Sequence, residues 1–329
     1  MQASPIFIVA IALWAVAMPA AVQAEQPKRL PQVGLLLPPP PAGYDPANNP
    51  FSEAMLEGLK QLGYVEGQSI HFDLRVATKP EEAAAMARDL VERKVDVIIT
   101  VGPQLTEAAK RATDTIPIVI LDCDRVDRLV ATIARPGGNI TGMACISSDL
   151  AAKRLQLLQE IVPRLSRVAV LFNGGVQAKV DELQDIMAAA KTLEIEVQPA
   201  DVRDASGFAA AFAAIKSRNP QALIALAEPL TFQHIKEIAT FAAEQRLPST
   251  FGFREFCDAG GLLCYGSDLK RQFGRFGYFI DKILKGAKPG DIPIEEPTAL
   301  ELIVNARVAK SLDITLPTSI LISAHELLE

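Results

Sequence analysis

The chain has 329 residues, 49% of them hydrophobic and 22% charged, with 33 Lys and Arg against 39 Asp and Glu. A net charge of only −6 beside that apolar content excludes a mainly disordered chain, and the acidic balance argues against a general nucleic-acid binder. Three histidines and four cysteines leave little material for a metal cluster, while the length suits two domains of ordinary size.

The first element is a charge-free run over residues 6–18, ended by Pro19. Val22-Gln23-Ala24 then places small residues at the −3 and −1 positions of a cut before Glu25. The run is shorter than the roughly 20 residues a membrane-spanning helix needs. It fits a signal peptide of residues 1–24, although residues 1–5 carry no Lys or Arg. No cysteine lies near the cut, so no lipid anchor is expected, and no later stretch is long and charge-free enough to span a bilayer. A mature protein exported to the periplasm is the expectation.

From residue 33 onward, short apolar runs alternate with helical stretches. Residues 33–37 read as a buried strand, 51–62 as an amphipathic helix, 69–76 as an alternating strand and 80–93 as a helix with Pro in its first turn. A strand over 95–101, a helix over 104–112 and a strand over 117–121 complete this half. The order then repeats, with strands over 168–172, 196–200, 222–226 and 248–251 and helices over 178–193, 205–218 and 231–246. Val33 and Val168, Val95 and Ala222, and Pro117 and Pro248 are equivalent points, offset by 135, 127 and 131 residues. So long a repeat is a duplicated domain. Apolar strands separated by helices indicate parallel sheets covered on both faces, so two α/β lobes are predicted.

The segments leaving the halves also match. Gly137-Gly138 precedes a short apolar run and Ser148-Asp149; Gly260-Gly261 precedes another and Ser267-Asp268. Each reads as a turn, a strand and a helix cap. These strands are expected to cross between lobes, with a third crossing near residues 300–304; ordinary turns within one sheet are the alternative.

Several co-linear motifs carry a family likeness. They are Gly63-Tyr64-Val65-Glu66-Gly67-Gln68, Ile116-Pro117-Ile118-Val119, and the run from Arg135 through Pro136-Gly137-Gly138-Asn139 to Gly142. Further on stand Phe253-Arg254-Glu255-Phe256, Ala259-Gly260-Gly261-Leu262, Ile283-Leu284-Lys285-Gly286 and Glu301-Leu302-Ile303-Val304-Asn305. Over residues 30 to 329 the chain resembles the ABC transporter substrate-binding proteins that include TrpX-type aromatic amino-acid receptors. The resemblance implies a type I periplasmic binding fold, two Rossmann-like lobes joined by three crossing segments. The first lobe is expected to hold residues 30–142 and about 267–298, the second 143–266 and about 299–329. Two loops depart from the family pattern: the proline-rich Pro38-Pro39-Pro40-Pro41, and Leu121-Asp122-Cys123-Asp124-Arg125 where many members carry Gly-Asp-Pro-Val. The ligand of better-known members is therefore not carried over.

Ligands of open α/β sheets sit beyond the carboxyl ends of strands, at helix N-termini. That rule selects Tyr44, Gln104, Asp122, Asp124, Asn173 and Glu228, and the crossing region adds Arg254 and Tyr265. Gln104 opens a helix whose free N–H groups could receive a carboxylate. Tyr44 could stack over a ligand. Asp122, Asp124 or Glu228 could meet an amine, or bond backbone amides in their own loops. Arg254 could clamp a carboxylate, or pair with Glu255 or Asp258. Asn173, before two glycines, could bond a ligand or serve its turn.

Four cysteines allow three pairings; Cys257 and Cys264 flank the glycine pair and would face each other in a hairpin. Cys123 beside two aspartates resembles a metal half-site only superficially, and no metal or cofactor is expected. Nucleophile elbow, dinucleotide fingerprint and Walker loop are all absent, which disfavours an enzyme such as a hydrolase or lyase. The expected function is a solute receptor for an ABC importer. Its ligand would be a small organic acid or amino acid, aromatic ones included, ahead of a sugar. Its partner would be an ABC permease in the inner membrane, with no nucleic acid, and the receptor would be a monomer. The alternative is a sensory module presenting the ligand to a membrane kinase or chemoreceptor.

Overall fold

The computed structural model describes residues 29–45, 48–123, 126–145 and 150–329. The expected export signal and the Ser148-Asp149 cap lie outside the described residues. The first half winds as β1 (Gln32–Leu37), α1 (Pro50–Lys60), β2 (His71–Val76), α2 (Pro80–Glu92), β3 (Val97–Val101), α3 (Pro103–Ala112), β4 (Ile118–Asp122) and β5 (Ile140–Ala144). Its five strands lie in the order β2-β1-β3-β4-β5 and all pair parallel.

The second half begins with α4 (Ala151–Ile161), β6 (Arg167–Phe172), α5 (Gln177–Thr192), β7 (Glu196–Asp201), α6 (Phe208–Arg218) and β8 (Ala222–Ala225). It continues with α7 (Pro229–Gln233), α8 (Ile235–Glu244), β9 (Ser249–Phe251), α9 (Arg254–Asp258) and β10 (Leu263–Gly266). After α10 (Leu269–Leu284) come β11 (Glu301–Asn305), α11 (Ala306–Ser311), α12 (Thr318–Ser323) and β12 (Glu326–Leu328). The second sheet runs β12-β11-β10-β9-β8-β6-β7, parallel except where β11 opposes β10.

The inner strands β1, β3, β4, β6 and β8 are largely buried on both faces, as their unbroken apolar runs require, whereas the edge strands β2, β7 and β12 are partly exposed. Alternate residues divide between cores: Val33 and Leu35 face α1 and α10, whereas Leu36 and Ile98 face α2 and α3. Helix starts are locally encoded. Proline opens α1, α2 and α3, and the Asn49 side chain accepts from the Phe51 and Ser52 amides at 3.0 and 3.1 Å. The helix predicted over 231–246 is two helices, because His234, with φ −100° and ψ 17°, breaks the path between α7 and α8.

The chain passes between the sheets three times. β5 belongs to the first sheet, yet the following α4 packs on α5 of the second half. β10 belongs to the second sheet, yet α10 packs on α1. Residues 292–295 then return along β5, where the Ala144 amide donates to Glu295 O at 2.8 Å, before β11 rejoins the second sheet. Gln272 Nε2 donates to Ala144 O at 3.0 Å and Ser267 Oγ to Cys145 O at 3.5 Å, tying two passages together.

Candidate functional site: an apolar cavity between the lobes

Helix α1 packs closely on α10, while its Phe51, Met55 and Leu59 join Val33 and Leu35 of the sheet in one buried core. Glycines permit this: a Cβ on Gly58 would lie 2.1 Å from Gly274 O, and one on Gly277 would lie 2.8 Å from the Gly58 backbone. No larger residue allows so close an approach. Between α1 and the upper face of β1, β2 and β3 some space is left unfilled. A cavity of about 370 Å³ occupies the gap and opens into the space between the lobes.

The sheet builds the floor. Leu35 pairs with Leu74 and Ile99, Leu37 with Val76, and Val101 with Leu121, so one continuous apolar surface crosses four strands. Phe51, Met55 and Leu56 of α1 form the roof, with Leu269 and Phe273 of α10 at its side. The second lobe closes the inner end with Ala227, Glu228, Pro229, Phe232 and Phe253. Pro38, Pro39, Pro40, Gly102, Pro103 and Cys123 complete the rim. The lobes touch around this space. The Ala42 amide donates to Gln233 O at 3.2 Å, Arg128 pairs with Asp181 at 2.9 Å, and the Phe51 and Phe232 rings lie 5.9 Å apart.

The few polar groups on the wall are engaged in capping. Asn49 and Ser52 close the first turn of α1 on each other. Glu228 caps α7: its Oε1 accepts from the Thr231 amide at 2.9 Å, and its Oε2 from Asn173 Nδ2 at 3.5 Å. Burial pushes the Glu228 carboxyl upward, against the hydrogen bonds and the charge of Lys179. At the outer end, Glu66 accepts from the Phe72 amide at 3.3 Å and pairs with His71 at 3.0 Å.

Of the eight residues expected at the site, Glu228 alone among the described ones lines the cavity, with Asn173 behind it. Asp124 lies outside the described residues. Tyr44 points to the surface at 38% exposure, although the preceding prolines form the rim. Gln104 is exposed, one residue beyond the lining Pro103. Asp122 is buried, and strand alternation turns it away from the face that Leu121 presents. Arg254 forms a fork with Glu326 and reaches Asp258 at 3.4 Å. Tyr265 sits on the face of β10 opposite Cys264, against the other core, and its carbonyl accepts from Arg154 Nε at 2.9 Å. The sequence reading missed the aromatic and aliphatic walls because alternation in 71–76 and helical spacing in 51–59 are equally the signals of an ordinary core.

The cysteines form two disulfides. Cys257 joins Cys264 from a helix to the next strand, not across a hairpin, with Cα atoms 6.0 Å apart. Cys123 joins Cys145 beyond the ends of β4 and β5, with Cα atoms 4.4 Å apart. Among the described residues no cluster of three or more His, Cys, Asp or Glu could hold a metal, and no helix is long and apolar enough to cross a membrane.

Comparison with known proteins places this architecture. Residues 45–328 match the family model described as ABC transporter substrate binding protein. A tyrosine-binding protein of Clostridioides difficile is 26% identical over 275 residues, 82% of this chain and 78% of that protein. A conserved domain protein of Vibrio cholerae superposes with a TM-score of 0.83 at 25% identity, over 91% of this chain and all of that one. An ABC domain from Streptococcus pneumoniae in complex with L-Trp gives 0.81 at 20% identity, with the same coverage.

Proposed function

Because the chain belongs to the ABC transporter substrate-binding protein family and has the type I periplasmic binding fold, we propose that it is the solute receptor of an importer. It works in the periplasm after removal of its signal segment, as a monomer, and hands its ligand to an ABC permease in the inner membrane. The observation that carries this reading is the cavity whose floor comes from one lobe and whose inner end comes from the other. Such a site is complete only when the lobes meet, so binding and closure are linked and the permease can read the closed form.

The ligand has a bulky apolar body. Among the ligands expected from sequence, an aromatic amino acid suits these walls through its side chain better than a small organic acid does. The relatives that bind tyrosine and L-Trp support the same preference.

The test is mass spectrometry of ligand carried through purification, with scattering before and after ligand is added back. The expected result is one mainly apolar compound and a smaller radius of gyration on its return. A neutral sugar as the sole ligand, or no compaction with any compound of a broad metabolite panel, would overturn the proposal.

A further inference from the structure

The two disulfides occupy different kinds of place. Cys257 and Cys264 are both buried, and their bridge stays within the second lobe, from α9 to β10. Cys123 and Cys145 instead stand one residue beyond the last register pair of β4 and β5, Asp122 with Ala144. Cys123 is partly exposed and lines the cavity. Cys145 is fully buried where the passages between the sheets touch. Its carbonyl accepts from Ser267 Oγ at 3.5 Å, the Ala144 carbonyl accepts from Gln272 Nε2 at 3.0 Å, and the Ala144 amide donates to Glu295 O at 2.8 Å. One covalent bond therefore joins the cavity wall to the point where the chain leaves the first lobe.

That point is the end of a strand pair, where pairing opens most easily. The Cys145 amide donates to Asp122 O at 2.9 Å, and the bridge holds the same two ends together. If the ends part, the pivot of lobe closure retreats into β5 and the wall at Cys123 loosens with it.

We propose that Cys123 and Cys145 are positioning residues for ligand binding: their bridge fastens the cavity wall to the lobe crossing, so its reduction weakens binding about tenfold. This rests on the receptor reading and adds redox control of the same site. A dithiol serves as reductant. Its thiolate attacks Cys123 Sγ, the S–S bond breaks, and Cys145 leaves as a thiolate that takes up a proton. The second thiol then attacks the mixed disulfide and frees Cys123; the dithiol departs as a cyclic disulfide, two electrons poorer. By linkage, a ligand that binds the bridged form better protects the bridge from reduction.

Two double variants of the full chain test this, Cys123→Ala with Cys145→Ala and Cys257→Ala with Cys264→Ala. L-tryptophan is the probe, titrated by calorimetry beside urea unfolding and amide hydrogen exchange. The bridges span 22 and 7 residues, and loop entropy grows only with the logarithm of length, so both losses should lower the urea midpoint comparably. Affinity should fall about tenfold in the first variant and stay within twofold in the second. The amides of Ala144 and Cys145 should exchange at least tenfold faster in the first variant alone. In the parent, graded dithiothreitol followed by alkylation should label Cys123 and Cys145 before Cys257 and Cys264, and more slowly with L-tryptophan present. If the first variant fails to fold, the parent reduced only at that bridge replaces it. Equal affinity losses in the two variants, unchanged affinity and exchange in the first, or earlier reduction of Cys257–Cys264 would overturn the proposal. Failure of L-tryptophan to bind the parent would count against the ligand class of the receptor reading; exchange at Ala144 and Cys145 then decides the fastening by itself.

Discussion

The two lobes share one winding but fill the same place differently. In the second lobe, α5 and α4 cover β6 and β8, and the space near the strand ends holds Arg154, Lys179 and Glu182, all fully buried. Lys179 Nζ lies 2.8 Å from Glu182, and Arg154 lies 3.6 Å from it on the other side. In the first lobe the equivalent helices are α1 and α10, and the equivalent space is the apolar cavity. The register shows the substitution strand by strand: Leu37 stands where the second lobe has Phe172, and Val101 where it has Leu226. One lobe fills this place with a buried charge network, while the other keeps room for a guest.

The largest effect should come from breaking that network. Glu182→Leu removes a buried carboxylate from between two buried cations, one of which, Arg154, already has its charged form disfavoured by burial. A loss of about 3–5 kcal/mol is expected, because breaking a buried pair leaves charge in a low-dielectric interior. Urea unfolding measures it. A change below about 1 kcal/mol would mean that the charges do not hold the second lobe, and the contrast between the lobes would lose its energetic content.

The contrast also explains what could be read from the chain. Periodicity located the strands and helices because burial on both faces and amphipathic spacing are written residue by residue. The offset from Val33 to Val168 exposed the duplication for the same reason. The cavity was not legible, since Phe72, Leu74 and Val76 alternate in the manner of a filled core. What sets that face apart is the space left beside α1 where it packs on α10, Gly58 meeting Gly274 and Gly277. The strand-end rule found the right loops but not the direction of their side chains. Asp122 and Leu121 are neighbours, and pleating sends only Leu121 to the cavity. The link between Cys123 and Cys145 depends on β4 and β5 being adjacent in space, which spacing in sequence does not reveal.

A second way to sharpen the comparison is titration, which should act on the second lobe through Glu255. Its carboxylate is buried with Oε2 unpartnered, and desolvation, aided by Asp258 and Asp268, pushes it up to about 7 from 4.5. Between those values the folded chain keeps a proton that the unfolded chain releases. Stability therefore falls as pH rises from 4.5 to 7 and levels off above, by about 3 kcal/mol in all. Glu255→Gln should flatten this dependence and raise the urea midpoint at pH 8 relative to the parent. Equal slopes for the two proteins between pH 5 and pH 8 would assign the titration elsewhere.

The smallest effect should come from Arg254, which the sequence marks as a possible carboxylate clamp and the structure pairs with Glu326. Both side chains are about a third or more exposed, so water and salt screen their attraction. Arg254→Ala should cost no more than about 1 kcal/mol, and 1 M salt should erase most of the difference. Its pH dependence has the opposite sign to that of Glu255. Arg254 holds Glu326 below its ordinary 4.5, so the pair stabilises above that value and fades as pH falls through the lowered one. Ligand affinity should change less than twofold, since the guanidinium lies outside the cavity wall. A tenfold loss of affinity would instead bring Arg254 into the site.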